Sequence, residues 1–372
     1  MRILVTARDV GATLNIIEIV KVLKQIPDIE VFIYVQCPAS EYFLRAGIQS
    51  VYIVDIPPVK ELNHKANELL AYAHHLIEKV KPDLILSGLS SPGEGGIDEA
   101  IVAVCPEHIK TFVIQDFWGE VNFFFKKLAF CYLCMDVHAA QITYKKFKAQ
   151  TEVIGSPRHW IYEQFDITTR RKELRQAINI NPNQKVIGIF GQSLHQLPGY
   201  FETISLWLDA CLKQNNNEVV LFYRRHPRET TEEANQIIEL IKRSGLDYRV
   251  FPASLIEESL MLSDLVCSFF SNCLYDAAYL NYYSPEPLFI PVILNYHPKI
   301  KEYTDKLELF ECSPYRNQGL AYFCMHEENL TTELDNLLSE QYKQNYWRQS
   351  KVELLNSNKS IKQILSILFC YN

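Results

Sequence analysis

The chain has 372 residues and a formal net charge of -7, and 48% of its residues are hydrophobic, so it exceeds an ordinary single domain and can bury substantial cores. A pI near 5.9 argues against the broad basic surface that general nucleic-acid binding needs, so any anion site must be local. We expect a soluble cytoplasmic protein, because we find neither a secretory signal nor the roughly 20 consecutive apolar residues of a transmembrane helix.

Strand-like and helix-like segments alternate through residues 1–160. The strand-like segments are apolar throughout rather than at every second residue, which predicts a parallel sheet with helices on both faces. The predicted strands are residues 2–7, 30–35, 50–55, 83–88, 110–116 and 151–155, and the predicted helices are residues 13–26, 38–47, 60–82 and 97–105. We therefore predict an N-terminal Rossmann-like domain at residues 1–160.

The composition changes at residues 161–183, which we interpret as an interdomain linker. This segment has Thr168 or Thr169 as the predicted N-cap of a short basic helix, and a Pro-Asn turn follows.

A second series of strands and helices predicts a C-terminal Rossmann-like domain at residues 184–340. The predicted strands are residues 185–191, 218–224, 248–251, 264–270 and 287–294, and the predicted helices are residues 200–214, 231–245, 255–263 and 274–280. Residues 341–372 read as C-terminal helices that return to the first domain. The fold class is therefore α/β, with two doubly wound Rossmann-like domains facing across a cleft. Ligands should bind outside the carboxyl ends of their strands.

A cationic cluster follows the second strand of the C-terminal domain in "VVLFYRRHPRE". It contains Arg224, Arg225, His226 and Arg228, and Pro227 stiffens the turn. The flanking arginines disfavour the protonated imidazole of His226, so a neutral ring could donate one N–H to a phosphate oxygen. The cluster therefore predicts a phosphate site.

The other half of this predicted site is the segment "SFFSNCLYDAAYL". Ser271 and Asn272 are good helix-capping residues, and a helix N-terminus offers backbone N–H groups and a partial positive charge to an anion. Asp276, about one turn into the helix, could accept hydrogen bonds from ribose hydroxyls. Gly191 forms the turn after the first strand of this domain, and Ser193 follows it on the nucleotide side.

These features together resemble the two-domain nucleotide-sugar glycosyltransferase fold, GT-B. The residues that carry this resemblance are the "VIGSP", the "KVIGIFGQS" strand, the "HP" pair and the "SN…D-A" helix start. Within this fold, the "HP" pair and the serine-led turn are most similar to bacterial polysialyltransferases and to capsule and teichoic-acid CDP-glycerol transferases. The resemblance implies that His226 and Ser271 contact the phosphate of a cytidine nucleotide. The donor would be a CMP-, CDP- or UDP-linked sugar, without a further cofactor.

UDP-N-acetylglucosamine 2-epimerases share this layout and resemble the stretch from Ser271 to Ala277, with a carboxylate in the place of Asp276. Their usual glycine pair is replaced by Asn272 and Cys273. Asn272 and Cys273 carry side chains where the glycine pair would allow close backbone approach to a diphosphate, so the epimerase is the alternative function.

The chain contains no D-x-D carboxylate pair, which favours a metal-independent transfer to a hydroxyl acceptor. The base should come from the strand ends of the first domain, and Glu94 resembles the acidic motif that carries the base in polysialyltransferases. Asp9 and Asp98 are further candidates for the base, and His226 acts at the leaving phosphate. Each carboxylate has the alternative interpretation of a helix cap or a loop residue.

The acceptor side of the predicted site contains Arg8, Asp116 and Trp118. Trp118 belongs to an aromatic segment, residues 116–133, that could stack on a saccharide or lipid-linked acceptor or could instead pack in the core.

Three further alternatives remain at this point. The arginines could be solvated strand ends beside a helix cap, and the cleft could bind nucleotide sugars without catalysis. Ser193 stands in a partial G-x-S-x-G pattern, but His195 replaces the second glycine of a hydrolase elbow. We interpret Cys131, Cys134 and His138 as packed residues rather than as a zinc or redox site, because no fourth ligand has suitable spacing.

Overall fold

The computed structural model describes residues 1–119, 121–214, 219–251, 255–307 and 314–370. It forms two compact units, Met1–Trp160 with Leu355–Asn372, and Ile161–Leu354. Glu120 of the aromatic segment and Glu218 of a predicted strand lie outside the described residues.

The first unit is built on a parallel sheet, formed because nearly continuous apolar runs bury both faces of its central strands. Its strands are β1 (Arg2–Ala7), β2 (Glu30–Val35), β3 (Val51–Ile53), β4 (Leu84–Gly88), β5 (Lys110–Ile114), β6 (Cys131–Cys134) and β7 (Thr151–Val153). Within the described residues these seven strands have the order β3-β2-β1-β4-β5-β6-β7. In this register Val5 lies between Ile33 and Leu86. The order reverses between β1 and β4.

Helices connect these strands. They are α1 (Val10–Leu23), α2 (Ala39–Arg45), α3 (His64–Val80), α4 (Ile97–Val104) and α5 (Val137–Phe147). The N-cap of α3 is Asn63, whose side chain accepts from the N–H groups of Lys65 and Ala66. A 3-10 helix, Pro157–Gln164, follows β7.

The second unit has a smaller parallel sheet of the same kind. Its strands are β8 (Lys185–Phe190), β9 (Val219–Arg224), β10 (Asp247–Tyr248), β11 (Leu265–Ser268), β12 (Ile290–Leu294) and β13 (Tyr322–Cys324). The six strands found among the described residues have the order β10-β9-β8-β11-β12-β13. The order reverses between β8 and β11, so β8 lies between β9 and β11.

The helices of the second unit begin before its first strand. They are α6 (Ile167–Ala177), α7 (Tyr200–Lys213), α8 (Thr231–Arg243), α9 (Ile256–Leu262), α10 (Cys273–Tyr283), α11 (Pro298–Lys306), α12 (Pro314–Asn317), α13 (Leu330–Leu337) and α14 (Glu340–Glu353). A 3-10 helix, Glu327–Asn329, precedes α13. The buried core includes Ile187, Trp207, Leu221 and Val292.

The last described helix, α15 (Ser357–Cys370), belongs to the first unit. Its Ile364 and Leu368 are fully buried in the cluster that contains Ile3 and Phe112. The preceding helix α14 lies in the second unit. The chain therefore completes the first unit only at its C-terminal end.

The structure differs from the predicted elements in several places. Residues 161–183 lie within the second unit, and α6 begins after Asp166, whose side chain caps the helix in place of the predicted Thr168 or Thr169. The elements β6, α5, α11, α12 and β13 were not among those predicted. Strand β6 has only four residues and lies at the end of the aromatic segment, which has no strand periodicity, and this explains why it was missed. No helix in the described ranges has the length and apolar composition to span a bilayer.

Candidate functional site

In the second unit, the predicted nucleotide residues follow three neighbouring strands. The loops after β9, β8 and β11 contain His226, Gly191 and Ser271, respectively, and the strand order reverses between β8 and β11. The β8 and β11 loops are tied together by the Gln192 side chain, whose Oε1 accepts from the N–H of Phe270 at 2.9 Å. Such a reversal is where open α/β sheets bind ligands at the carboxyl ends of their strands.

His226 lies half-buried in the turn after β9. The Arg228 N–H donates to its Nδ1 at 3.2 Å, which assigns the proton of a neutral ring to Nε2. Burial lowers the pKa of His226 below its usual value, and Arg228 adds to this effect. We predicted the neutral ring from the arginines alone, but burial is the larger cause. The neutral ring therefore carries its proton on Nε2, and this N–H can donate a hydrogen bond to a phosphate oxygen.

Glu229 is buried against this turn and stabilises it through hydrogen bonds of its carboxylate. It is 5% exposed, and its Oε2 accepts from the His226 N–H while its Oε1 accepts from the Tyr223 hydroxyl at 2.6 Å. A methyl group added at Gly191 would lie 2.5 Å from Glu229 Oε2 and 2.2 Å from the Tyr223 hydroxyl. Gly191 therefore serves close packing of its loop on Glu229.

The three arginines of the cluster have different surroundings. Arg224 is half-buried and donates to Ser259 Oγ at 2.8 Å. Burial lowers its pKa, and Glu257 opposes this change. Arg225 and Arg228 are exposed, and Arg225 donates to Thr231 Oγ1 at 3.4 Å. Arg224 therefore connects the end of β9 with α9, whereas the other two present charge to solvent.

Ser271 begins the turn that leads into α10. Its Oγ accepts from the Cys273 N–H at 3.3 Å, and its carbonyl oxygen accepts from the Leu274 N–H at 3.1 Å. Both N–H groups are therefore already hydrogen-bonded within the turn. This corrects our expectation of free backbone N–H groups at the start of α10. What this turn can offer an anion is the Ser271 hydroxyl proton and the positive end of the α10 dipole.

Asn272 and Asp276 also differ from their predicted roles. Asn272 occupies the N-cap position of α10, but its side chain makes no capping hydrogen bond. Asp276 is 7% exposed in the first turn of the helix, and its charge raises the pKa of Cys273 after the larger effect of burial. This burial does not favour the ribose contact expected of Asp276.

Several predicted residues of the first unit lie at its own strand reversal, between β1 and β4. Arg8 follows β1 and is 5% exposed; its Nε donates to Ser90 Oγ at 3.0 Å and its Nη1 to Glu94 Oε2 at 3.0 Å. Lys60 Nζ lies 3.3 Å from Glu94 Oε1. The hydrogen bond from Arg8 is the main cause that lowers the pKa of Glu94. A carboxylate held in this way is ionised at neutral pH but is a weak base.

Asp9 and Asp116 approach the start of α1. Asp9 is the N-cap residue, yet its Oδ2 accepts from the N–H and Oγ of Ser91 at 2.8 and 2.9 Å instead of capping the helix. A methyl group added at Gly11 would lie 1.7 Å from Asp116 Oδ2. The absence of a side chain at Gly11 therefore lets the Asp116 carboxylate approach the first turn of α1.

Asp98 and Glu99 form a buried acidic pair at the start of α4. Asp98 Oδ2 accepts from Ser90 Oγ at 3.1 Å, and Glu99 Oε2 accepts from the Gly96 N–H at 2.7 Å. Burial raises the pKa of both groups, that of Glu99 to about 8, and Asp98 contributes to the shift of Glu99. Both residues line a cavity of about 10 Å³, enough for roughly one water molecule.

Trp118 is 3% exposed, and its indole N–H donates to Asp136 Oδ2 at 2.7 Å. This placement favours the packing interpretation over stacking on an acceptor. Ser193 is exposed, whereas His195 lies 3.5 Å from Glu229 Oε1, which gives no support to a hydrolase elbow.

Cys131 and Cys134 are buried, free cysteines in β6, as expected for packed residues. Among the described residues no cluster of three or more histidine, cysteine, aspartate or glutamate side chains could hold a metal ion.

Three residues of these sites were missed in the sequence, namely Gln192, Glu229 and Glu99. Glu229 stands directly after "RRHPR" and before the capping threonine of α8, so it resembles an ordinary charged residue before a helix. Glu99 stands three residues after Gly96 and accepts from its N–H, as the acidic residue of a capping box does, but Gly96 has no side chain that could accept in return. Neither pattern by itself indicates that the carboxylate is buried.

No protein-family model matches the chain, and no curated protein matches it either. Solved structures do match. A UDP-GlcNAc 2-epimerase from Neisseria meningitidis bound to UDP-GlcNAc has a TM-score of 0.68 and 14% identity, covering 99% of this chain and 100% of its own. A glycosyltransferase from Rickettsia africae has a TM-score of 0.64 and 11% identity, covering 98% and 97%.

MurG of Acinetobacter baumannii has a TM-score of 0.60 and 13% identity, covering 98% of this chain and 99% of its own. At these identities the similarity shows the fold alone. The chain has two parallel-sheet α/β domains of the GT-B type, as predicted.

Proposed function

We propose that this protein is a metal-independent enzyme acting on a nucleotide-activated sugar, and that it transfers a sugar or polyol phosphate to a hydroxyl acceptor. The observation that carries this proposal is that the second unit brings together hydrogen-bond donors and positive charges that suit a phosphate group. Arg224 ends β9, and His226 and the Ser271 turn follow β9 and β11, which lie on either side of β8. Glu229 bonds to the His226 turn, and Gln192 links the loops after β8 and β11.

The chemistry of this group suits a leaving nucleotide. Negative charge grows on the phosphate as the bond to the transferred group breaks, and preorganised donors aimed at developing charge are often the largest catalytic contribution. The Nε2–H of His226 supplies a directed hydrogen bond, and Arg224, Arg225 and Arg228 supply positive charge. Cytidine and uridine nucleotides both fit this chemistry, which recognises the phosphate rather than the base.

We assign activation of the acceptor hydroxyl to the carboxylates of the first unit, with Glu94 as first candidate and Asp9 as second. Both lie at the β1/β4 reversal beside Arg8. The positive charge of Arg8 makes the Glu94 carboxylate a weaker base, and the hydrogen bond from Arg8 fixes the orientation of this carboxylate. The acceptor is a saccharide or a lipid-linked hydroxyl compound.

The test is calorimetric titration with CMP-, CDP- and UDP-linked donors, followed by donor hydrolysis and transfer assays. We expect His226→Ala to weaken nucleotide binding about ten-fold and to slow transfer. His326→Ala is the matched control, because this imidazole is in the same unit but is exposed beside Glu328. The proposal fails if no nucleotide binds, or if both variants behave alike.

A second candidate is interconversion of the sugar of a UDP-sugar, as in a UDP-GlcNAc 2-epimerase. Two observations favour it, namely the fold similarity to an epimerase bound to UDP-GlcNAc and the buried acidic pair Asp98 and Glu99 in the first unit. An epimerase would interconvert or release the sugar of UDP-GlcNAc with no acceptor present. Product analysis without acceptor therefore separates the two candidates, and binding without any turnover would indicate a sensor.

A further inference from the structure

Glu229 occupies an unusual position for a glutamate, below the turn that carries His226. Its side chain is fully buried, and burial raises its pKa above the usual value. Burying a carboxylate is costly unless hydrogen bonds compensate it. The hydrogen bonds of Glu229 to its neighbours therefore have to supply this compensation.

The two carboxylate oxygens contact the loops after both β8 and β9. Oε2 accepts from the His226 N–H and lies against Gly191, and Oε1 accepts from the Tyr223 hydroxyl and lies 3.5 Å from His195 Nε2. The Glu229 N–H in turn donates to the His226 carbonyl oxygen at 3.0 Å. The His226 backbone is thus bonded to Glu229 at both its N–H and its carbonyl group.

We propose that Glu229 is a positioning residue for nucleotide binding, which acts by holding the His226 imidazole toward the phosphate. This inference rests on the proposed function. The bonds to the His226 backbone fix the turn in which the Arg228 N–H meets Nδ1 of the ring. That contact in turn directs the protonated Nε2 away from the turn. Glu229 itself does not touch the nucleotide.

The experiment is a double-mutant cycle between Glu229 and His226, read out as the Kd for CDP and for UDP by calorimetry. We expect Glu229→Ala to weaken binding about ten-fold, similar to His226→Ala. In the His226→Ala background it should add less than about two-fold, because no imidazole is left to position. A merely structural role would weaken binding further in both backgrounds.

Two variants complete the design. Glu229→Gln keeps an oxygen acceptor for the His226 N–H, so we expect it to retain binding within about three-fold. Glu232→Ala is the control for charge, because it removes an exposed glutamate from the first turn of α8 without disturbing the turn at His226. We expect Glu232→Ala to leave the Kd unchanged.

A measurement without ligand covers the case in which Glu229→Ala folds poorly. Nitrogen-15 NMR of the imidazole at neutral pH should give the native ring as the Nε2–H tautomer, and Glu229→Gln should retain this tautomer. Tyr223→Phe, which removes the hydroxyl donor to Glu229 Oε1 and leaves the bond from the His226 N–H, should also retain it. An Nδ1–H tautomer in the native protein would overturn the inference.

The outcomes separate the inference from the proposed function. If His226→Ala weakens nucleotide binding and Glu229→Ala does not, the inference is wrong and the proposed function stands. Effects of the two changes that multiply would also overturn it. If neither CDP nor UDP binds the native protein, both are overturned together.

Discussion

At Glu99, helix capping and burial act on the same carboxyl group. The capping bond from the Gly96 N–H favours the ionised form, but burial and the neighbouring Asp98 raise its pKa to about 8. An unfolded chain ionises this group near 4.5, so the folded protein binds more protons between these two values. The free energy of unfolding should therefore fall as pH rises from about 4.5 to about 8.

We expect Glu99→Gln to flatten this part of the stability profile. Glutamine keeps the capping geometry and has no charge to bury, so the slope of up to about 1.4 kcal/mol per pH unit should decrease. Urea unfolding between pH 5 and pH 8, in steps of about half a unit, measures the slope. Asp98 leaves a residual slope of the same sign. An unchanged slope in the variant would contradict a raised pKa at Glu99.

Replacement of Glu94, the first candidate for the base, tests the proposed catalysis at a single residue. Its carboxylate is ionised and held by Arg8 in the first unit, so Glu94→Gln should slow transfer at least ten-fold while the nucleotide Kd stays nearly unchanged. Single-turnover transfer and calorimetry measure the two effects. Glu61→Gln, an exposed glutamate of the same unit, is the control. Equal loss of binding and rate would argue against a role as base.

At the scale of elements, Asp264 joins four segments of the second unit. It lies just before β11 and accepts from Arg171 of α6 at 2.8 Å, from Arg175 of α6 at 2.9 Å and from the Val186 N–H of β8 at 2.8 Å, with Lys343 of α14 3.4 Å away. Burial alone would raise the pKa of Asp264, but the three cations lower it to about 2. This buried cluster explains why residues 161–183 belong to the second unit.

We expect Asp264→Asn to destabilise the second unit by roughly 3–5 kcal/mol, because buried cations lose their partner. In the native protein, the stabilisation from the low pKa is present above about pH 4 and is lost as pH falls toward 2, by about 2 kcal/mol. Thermal and acid unfolding measure both effects. Asp247→Asn removes the more exposed partner of Arg249 and should cost less than about 1 kcal/mol. Similar losses in the two variants would contradict the special role of Asp264.

At the scale of the whole molecule, the chain passes through the second unit and returns to the first. Helix α15 supplies Ile364 and Leu368 to the core of the first unit. We expect Leu368→Ala to destabilise that unit by about 2–5 kcal/mol, because it leaves a cavity in a closed core.

The matched control for this prediction is the next residue, Phe369, which is 40% exposed. Phe369→Ala removes a larger side chain but should cost clearly less. Denaturant unfolding followed by the fluorescence of Trp118 and Trp160, both in the first unit, measures the effect where it is expected. Equal costs for the two variants would show that α15 is not part of the core.

The sequence by itself determined the fold type and the order of most elements, because continuous apolar strands alternating with amphipathic helices leave few arrangements other than a doubly wound sheet. It also proposed His226, Ser271, Arg8 and Glu94 as site residues, since polar residues that follow apolar strands lie at the carboxyl edge of a parallel sheet. It missed β6 and β13, whose four and three residues carry too little periodicity to read.

Only the tertiary structure decided which charges are buried and with whom they pair. Glu229, Glu99 and Asp264 look like surface residues beside helices, and their burial depends on segments far away in the chain. A pKa depends on this burial and on neighbouring charges, neither of which a local pattern contains. For the same reason the sequence could propose Glu94 as a base, but only the fold placed Arg8 and Lys60 against it.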